Sequence, residues 1–406
     1  MEKYTPPQKI LEKYANVLVN FALAGGKGIK KGDVVRIICP ESAKPLYVEL
    51  LKAVTKSGGH ALGVYLPDSD GKYNTSRDFY ELADEAQLRF FPKKFTRGLI
   101  DEIDHQIGIL STTDPRSLKG IDPKKIMQVG EARKPAHEWM NEKENRGKFS
   151  WTLALYGAEA GAKEAGMSLE THWKEIINAC FLDKKDPVKE WIRTQKEINR
   201  LTKKLTNLKI EKLHVKGNDV DLWVQIGKDR RWLGGRGANI PSFEVFTSPD
   251  WRGTSGWIRF NQPLYRYGNL IKGIRLEFKN GKVVKATAKS GEKVLREMIA
   301  TKNADKIGEF SLTDSRLSRI TKFMAETLYD ENIGGKFGNT HIALGNAYQD
   351  GYNGNLIKMK KKDWVKCGFN TSSVHTDIIS TVDRTVTAYL SNGKEKVIYK
   401  DGKFTV

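Results

Sequence analysis

The sequence predicts two domains: an N-terminal α/β domain with an open, mostly parallel sheet, then an α+β C-terminal domain built mainly from antiparallel strands. Three observations lead there. The first half alternates short apolar runs with segments of helical period, several closed by paired glycines. The second half strings strand-like runs together through Asn-Gly and Asp-Gly turns. The chain of 406 residues also exceeds what one ordinary core accommodates.

The elements follow in order. Residues 9–23 read as an amphipathic helix closed by Gly25 and Gly26, and residues 34–38 as a buried strand. Residues 45–57 have helical period and end at Gly58 and Gly59, after which residues 61–65 form a second strand. Strand, helix, strand implies a right-handed unit with parallel strands. Strands at 106–110 and 151–155 alternate with helices near 76–88, 123–142 and 169–181. No GxGxxG follows the first strand, and the glycines at 25, 26 and 28 precede it, so no dinucleotide site is expected. Asp186 then caps a helix that Pro187 opens, with Trp191, Ile198, Leu201 and Leu205 on one stripe. It reads as the link between residues 1–207 and 208–406.

After it, strands dominate: 212–215, 219–226, 245–247, 256–260, 270–278, 282–288, 341–344 and a C-terminal run. Asn280-Gly281, Asn392-Gly393 and Asp401-Gly402 mark hairpins. A helix is expected near 289–303. Residues 314–329 are ambiguous, because Leu317, Ile320, Met324 and Leu328 fit a helix while their surroundings suit a strand.

Composition is that of a soluble globular protein, 39% hydrophobic and 29% charged. No run approaches the roughly 18–20 apolar residues that cross a bilayer, and no apolar leader opens the chain, so a cytoplasmic location is expected. Cys39, Cys180 and Cys367 lie far apart without a CxxC pair, which reads as buried free thiols rather than disulfides or a thiolate metal site. The net charge of +20 attracts anionic surfaces, yet no zinc-finger, RNP or basic-heptad pattern accompanies it. Specific nucleic-acid binding is not expected.

Six residues whose side chains suit divalent metals stand in short motifs of the second half. Glu244 follows Asn239-Ile-Pro-Ser-Phe and precedes Val-Phe-Thr; Glu309 follows Gly308; Asp330-Glu-Asn332 leads through a Gly-rich turn to Asn339-Thr-His341-Ile-Ala-Leu-Gly345. Tyr348 comes seven residues after His341, and His375-Thr-Asp377 puts two such groups on one face of a strand, since side chains alternate with period two. Carboxylates and imidazoles are the usual ligands of zinc, cobalt or manganese. Singly, each has a duller reading, as a capping acid or a strand histidine. Together their order is specific. His60, His105, His137, His172 and His214 have no motif around them and read as structural. Trp232 with Arg230, Arg231 and Arg236 reads as either a substrate-cleft wall or a solvated face.

With these motifs the chain resembles the family of thermophilic metallo-aminopeptidases that includes aminopeptidase T and aminopeptidase S. The likeness spans nearly the whole chain and includes Trp151-Thr-Leu-Ala and Ala165-Gly-Met-Ser-Leu in the first half. The resemblance implies a homodimeric, two-domain enzyme that removes single residues from peptides with a free N-terminus. Carried over residue by residue, it gives Glu244, Glu309, His341, Tyr348, His375 and Asp377 as ligands of two divalent ions, with Glu309 and Tyr348 as catalytic groups. This chain departs from the family pattern at Phe243, where a small Gly is common, in a longer turn at 334–339, and in Gln349-Asp350 after Tyr348.

The chemistry is consistent. A bound metal lowers the pKa of water to about 7, and a second ion about 3.5–4 Å away clamps both nucleophile and developing oxyanion. Glu309 is expected to bridge the ions, and Tyr348 either to bind metal or to donate to the oxyanion. The alternative is a catalytically silent basic scaffold, or an RNA-associated protein, that keeps the same fold.

Overall fold

The computed structural model describes residues 4–69 and 72–406. Its first sheet is wholly parallel, in the order His60–Leu66, Val34–Pro40, His105–Leu110, Ser150–Leu155 and Asn239–Ile240. The last strand comes from the second half of the chain and pairs with Leu153 and Ala154. Along Val34–Pro40 every second residue is buried, and Val35, Ile37 and Cys39 face the first apolar core. Helix Gln8–Val17 continues into a π-helical turn over Leu18–Ala22 and covers that core.

His105 is not idle at the start of its strand. Its Nε2 lies 3.0 Å from Asp33 Oδ2 and its Nδ1 lies 2.8 Å from Ser150 Oγ. Ser150 Oγ also accepts from the Ala24 amide. This array ties strand beginnings together at the amino edge of the sheet, whereas ligands of such sheets bind at the carboxyl edge. It is structural.

The second half forms two large antiparallel sheets, beside a two-stranded pair of Leu264–Arg266 with Asn269–Ile271. The larger runs Lys282–Thr287, Arg275–Lys279, Ser255–Arg259, Val220–Gln225, Ile210–Gly217, Thr385–Leu390, Glu395–Lys400 and Lys403–Phe404. The smaller runs His375–Ser380, Asn339–Gly345, Ile307–Thr313, Glu244–Thr247 and Leu233–Gly234. One apolar core holds side chains of both, including Leu213, Leu222 and Ile258 from the larger and Phe310, Leu312, Ile342 and Leu344 from the smaller.

Helix Pro187–Asn207 starts where Asp186 accepts from the Lys189 amide, and it serves both cores. Trp191 is in the first, while Ile198, Leu201 and Leu205 are in the second. Four expectations need revision. The helix near 76–88 is two, Thr75–Leu82 and Glu85–Arg89, because Asp84 and Gln87 form a capping box that starts a new helix. The strand at 270–278 is two, Asn269–Ile271 and Arg275–Lys279, broken at Gly273 with its positive φ of 64°. Residues 314–329 are mostly irregular, ending in the short helix Thr327–Asp330. Of the thiols, Cys39 and Cys180 are buried, but Cys367 is partly exposed.

Candidate metal centre

The smaller sheet has one polar face and one apolar face, and its registers explain why. Opposed residues of an antiparallel pair point to the same side, and alternate residues share a side. Glu309, Ala343 and Asp377 lie in one row across three strands, and Ser311, His341 and Ile379 in the next. Gly345 pairs with His375, and Thr313 with Glu244. One face therefore carries Glu244, Glu309, His341, His375 and Asp377. Phe310, Leu312, Ile342, Leu344 and Ile378 point the other way into the second core. Ala343, Gly345 and Ser311 leave room among the larger groups.

Glycine is required at Gly308. A Cβ there would sit 2.3 Å from the Asn346 carbonyl oxygen and 2.6 Å from that of Gly345. The pairing skips at this point, and that irregularity brings Glu309 into register with Ala343.

Side-chain atoms converge in overlapping groups. Oxygen and nitrogen atoms of Glu244, Glu309 and His341 all lie within 4.8 Å of one another, as do those of Glu309, His375 and Asp377. Glu309 belongs to both groups. Its Oε1 is 3.3 Å from His341 Nε2 and its Oε2 is 3.7 Å from His375 Nε2. His341 Nε2 is also 3.4 Å from Glu244 Oε2, and His375 Nε2 is 3.4 Å from Asp377 Oδ1. Tyr348 stands beside the second histidine, ring centres 4.9 Å apart. The six residues singled out from sequence thus come together in space.

A seventh residue joins them. Glu331 forms a third group with His341 and Asp377. Its neighbours in sequence hold it there: the Asp330 carboxylate accepts from the Met324 and Glu326 amides, and Asn332 Oδ1 accepts from the Phe243 amide at 2.7 Å. The motif Asp330-Glu-Asn332 was visible in sequence, but its middle residue was not counted as a ligand. Flanking Asp and Asn anchor the backbone so that the Glu between them faces the cluster.

Both imidazoles are oriented for Nε2 ligation. His341 Nδ1 donates to the Glu331 carbonyl at 3.2 Å, and His375 Nδ1 donates to the Asn346 carbonyl at 2.8 Å. Such bonds fix tautomer and ring plane in metal sites. The rest of the centre is only partly open: the His375 side chain is 24% exposed and that of Asp377 15%.

Electrostatics point the same way. Burial, then the Glu309 charge, pushes the Glu244 carboxyl up to about 7. Burial, then Asp377, Glu244 and Glu309, raises Glu331 well above the ordinary range. Burial works against charge on His341, but the hydrogen bond and charge of Glu309 outweigh it and take the imidazole up to about 9. His375 likewise reaches about 9 against burial, driven by Asp377. Burial would raise Asp377, yet His375 holds it below its usual value. Tyr348 is raised well above the phenol range by burial and by Glu309. Four carboxylates in one buried cluster demand compensating positive charge. The donor set, hard oxygens with two imidazoles, fits divalent metals.

Trp232 and the neighbouring arginines do not form one solvated face, although the Arg236 side chain is 41% exposed. Trp232 is buried in the second core. Arg230 is buried and donates to the carbonyls of Ser248, Lys228 and Cys367. Arg231 donates to the Asp350 carbonyl, and Arg236 pairs with the Asp350 carboxylate. They brace the turn after Tyr348. Phe243 fills the first core, stacked on Trp191 with ring centres 5.3 Å apart. Among the described residues no helix is long and apolar enough to cross a membrane.

Comparison with known proteins agrees. Aminopeptidase AmpS of Bacillus subtilis is 26% identical over 411 residues, covering 96% of this chain and 98% of that protein. Aminopeptidase T of Thermus thermophilus is 26% identical over 410 residues, with coverage of 96% and 98%. The solved structure of wild-type AmpT from Thermus thermophilus shares the fold, with a TM-score of 0.80 at 24% identity over 98% of this chain and all of that one. The model of the thermophilic metalloprotease (M29) family matches residues 7–404, and this chain belongs to that family.

Proposed function

We propose that this enzyme is an aminopeptidase that removes the N-terminal residue from peptides with the help of two divalent ions. The observation that carries the reading is the shared position of Glu309, whose two oxygens face the two histidines of separate donor groups. In this reading Glu244 and His341 would hold one ion and His375 and Asp377 the other, with Glu309 shared between the two donor groups. Glu331 joins as an additional acid beside His341 and Asp377. Zinc, cobalt and manganese all suit this donor set. Bound ions would supply a water activated near neutral pH and a Lewis acid for the scissile carbonyl.

The chain's own groups do the rest. The carboxylate cluster attracts the free α-amine of a substrate and so selects peptide ends over internal bonds. Tyr348 keeps its proton in these surroundings, which suits it to donate a hydrogen bond to the tetrahedral oxyanion. The half-closed cleft limits water around the reacting bond. We further propose a domain division near residue 207, a cytoplasmic location and a homodimer. No observation favours the silent scaffold or RNA-associated alternative.

Cleavage of a panel of aminoacyl anilides tests the proposal. Activity that a chelator stops and zinc, cobalt or manganese restores is the expected result. Absence of cleavage across the panel, at full metal occupancy, would remove it.

A further inference from the structure

Next to the candidate metal centre is a cavity of ≈ 260 Å³ between the two halves of the chain. Tyr80, Arg133 and His137 line it from the first half, and Arg266, Tyr267 and Ser373 from the second. Ser373 and Val374 run directly into His375, so the cavity opens against the ligand strand. No Asp or Glu lines it. Its polar lining offers mainly hydrogen-bond donors.

Arg133 is exposed and Arg266 half-buried. Among the described residues neither Arg133 nor Arg266 takes part in an ion pair, although most other arginines of the chain do so or hydrogen-bond to carbonyls. Arg266 Nε is shielded from solvent yet has no hydrogen-bond partner. Its guanidinium lies over the Tyr267 ring, 4.8 Å from the centre, which fixes its plane. Its charge also helps to hold the Asp377 carboxyl low, after the larger effect of His375. An oriented, partly desolvated guanidinium without an acid partner is chemistry prepared for an incoming anion.

We propose that Arg133 and Arg266 form a subsite that binds a carboxylate of the peptide substrate. This rests on the aminopeptidase reading and deepens it. A peptide carries its amine at one end and a carboxylate elsewhere, and the two clusters offer matching opposites: acids and imidazoles in the candidate metal centre, arginines in the cavity that reaches Val374 beside it. The carboxylate comes from one of two sources, an acidic side chain on the N-terminal residue or the C-terminus of a short peptide. Helix Pro123–Asn145 carries Arg133, whereas Arg266 sits on the hairpin strand Leu264–Arg266. Binding therefore draws on both halves of the chain.

The test compares kcat/KM of the metal-loaded enzyme within two matched substrate pairs. One pair is glutamyl and glutaminyl p-nitroanilide; the other is Leu-Gly-Gly and its C-terminal amide. In the wild type the carboxylate member of at least one pair is expected to be preferred by ~tenfold or more. Arg133→Gln should shrink that preference several-fold, mainly through KM, and Arg133→Lys should retain part of it. Added salt should weaken it. Preference in the first pair assigns the subsite to the side chain, and preference in the second to the peptide C-terminus. Ratios near one in both pairs, or a preference indifferent to Arg133→Gln, overturn the subsite while leaving the aminopeptidase reading intact. Failure of the wild type to cleave any of the four substrates overturns both.

Discussion

His341 and Glu331 are coupled twice: the ring donates Nδ1–H to the glutamate's carbonyl at 3.2 Å, and the glutamate's carboxylate lies in the same cluster that Nε2 faces. Main chain and side chain of one residue thus orient one candidate ligand and offer another. Replacing Glu331 with Gln separates the two roles, since the carbonyl stays. Metal affinity is expected to fall roughly 10–100-fold, measured by competition with a chromogenic chelator. The metal-free protein should melt close to wild type, because burial and the neighbouring acids raise the Glu331 carboxyl well above its ordinary range, and Gln is the neutral isostere of the protonated acid. Unchanged affinity would take Glu331 out of the centre.

His375→Ala removes one donor from the group formed with Glu309 and Asp377. Metal content per chain and turnover should drop together, read by elemental analysis beside anilide cleavage. Full occupancy with normal turnover would mean that this imidazole plays no part.

Protons compete with metal for these sites. His341 and His375, both near 9 in the metal-free protein, are charged at pH 7, and Glu244, near 7, is about half protonated. A raised pKa means that protons must leave before the metal binds, so affinity should climb as pH rises and level off near 9. Calorimetry of metal binding at pH 7 in buffers of different ionisation enthalpy should show at least two protons released. A buffer-independent enthalpy would contradict the ligand assignment.

Gly308→Ala places a methyl against two carbonyl oxygens of the neighbouring strand. The backbone has to shift, at a cost of about 1–3 kcal/mol. A lower melting temperature and a loss of activity larger than the loss of fold are expected, because Glu309 moves with the bulge. A fully active, equally stable variant would show that the irregular pairing is dispensable.

Much of this architecture was legible from the chain itself, for stated reasons. The helix opened by Asp186 and Pro187 and the hairpin at Asn280-Gly281 were visible because local chemistry decides them. The strand Ile307–Thr313 was not, because all seven of its residues are buried and the alternation that marks a strand is absent. Ile320, Met324 and Leu328 have helical spacing, yet the first two are buried in the first core from irregular chain and only Leu328 from the short helix Thr327–Asp330. Carboxylate bonds from Asp330 to the Met324 and Glu326 amides replace the helix that the spacing suggested. Glu331 escaped notice for a related reason: only the folded loop turns its side chain toward residues distant in sequence.

That loop has a consequence of its own. The strands bearing Glu309, His341, His375 and Asp377 are anchored from behind by one body of packed side chains, but Glu331 is delivered by a segment rooted in the other. The proposed coordination shell is therefore a joint product. A loosened Ile320 or Tyr329, outside the donor set, would be felt as a misplaced acid, so substitutions in the first core can tune the chemistry without touching a single reactive atom.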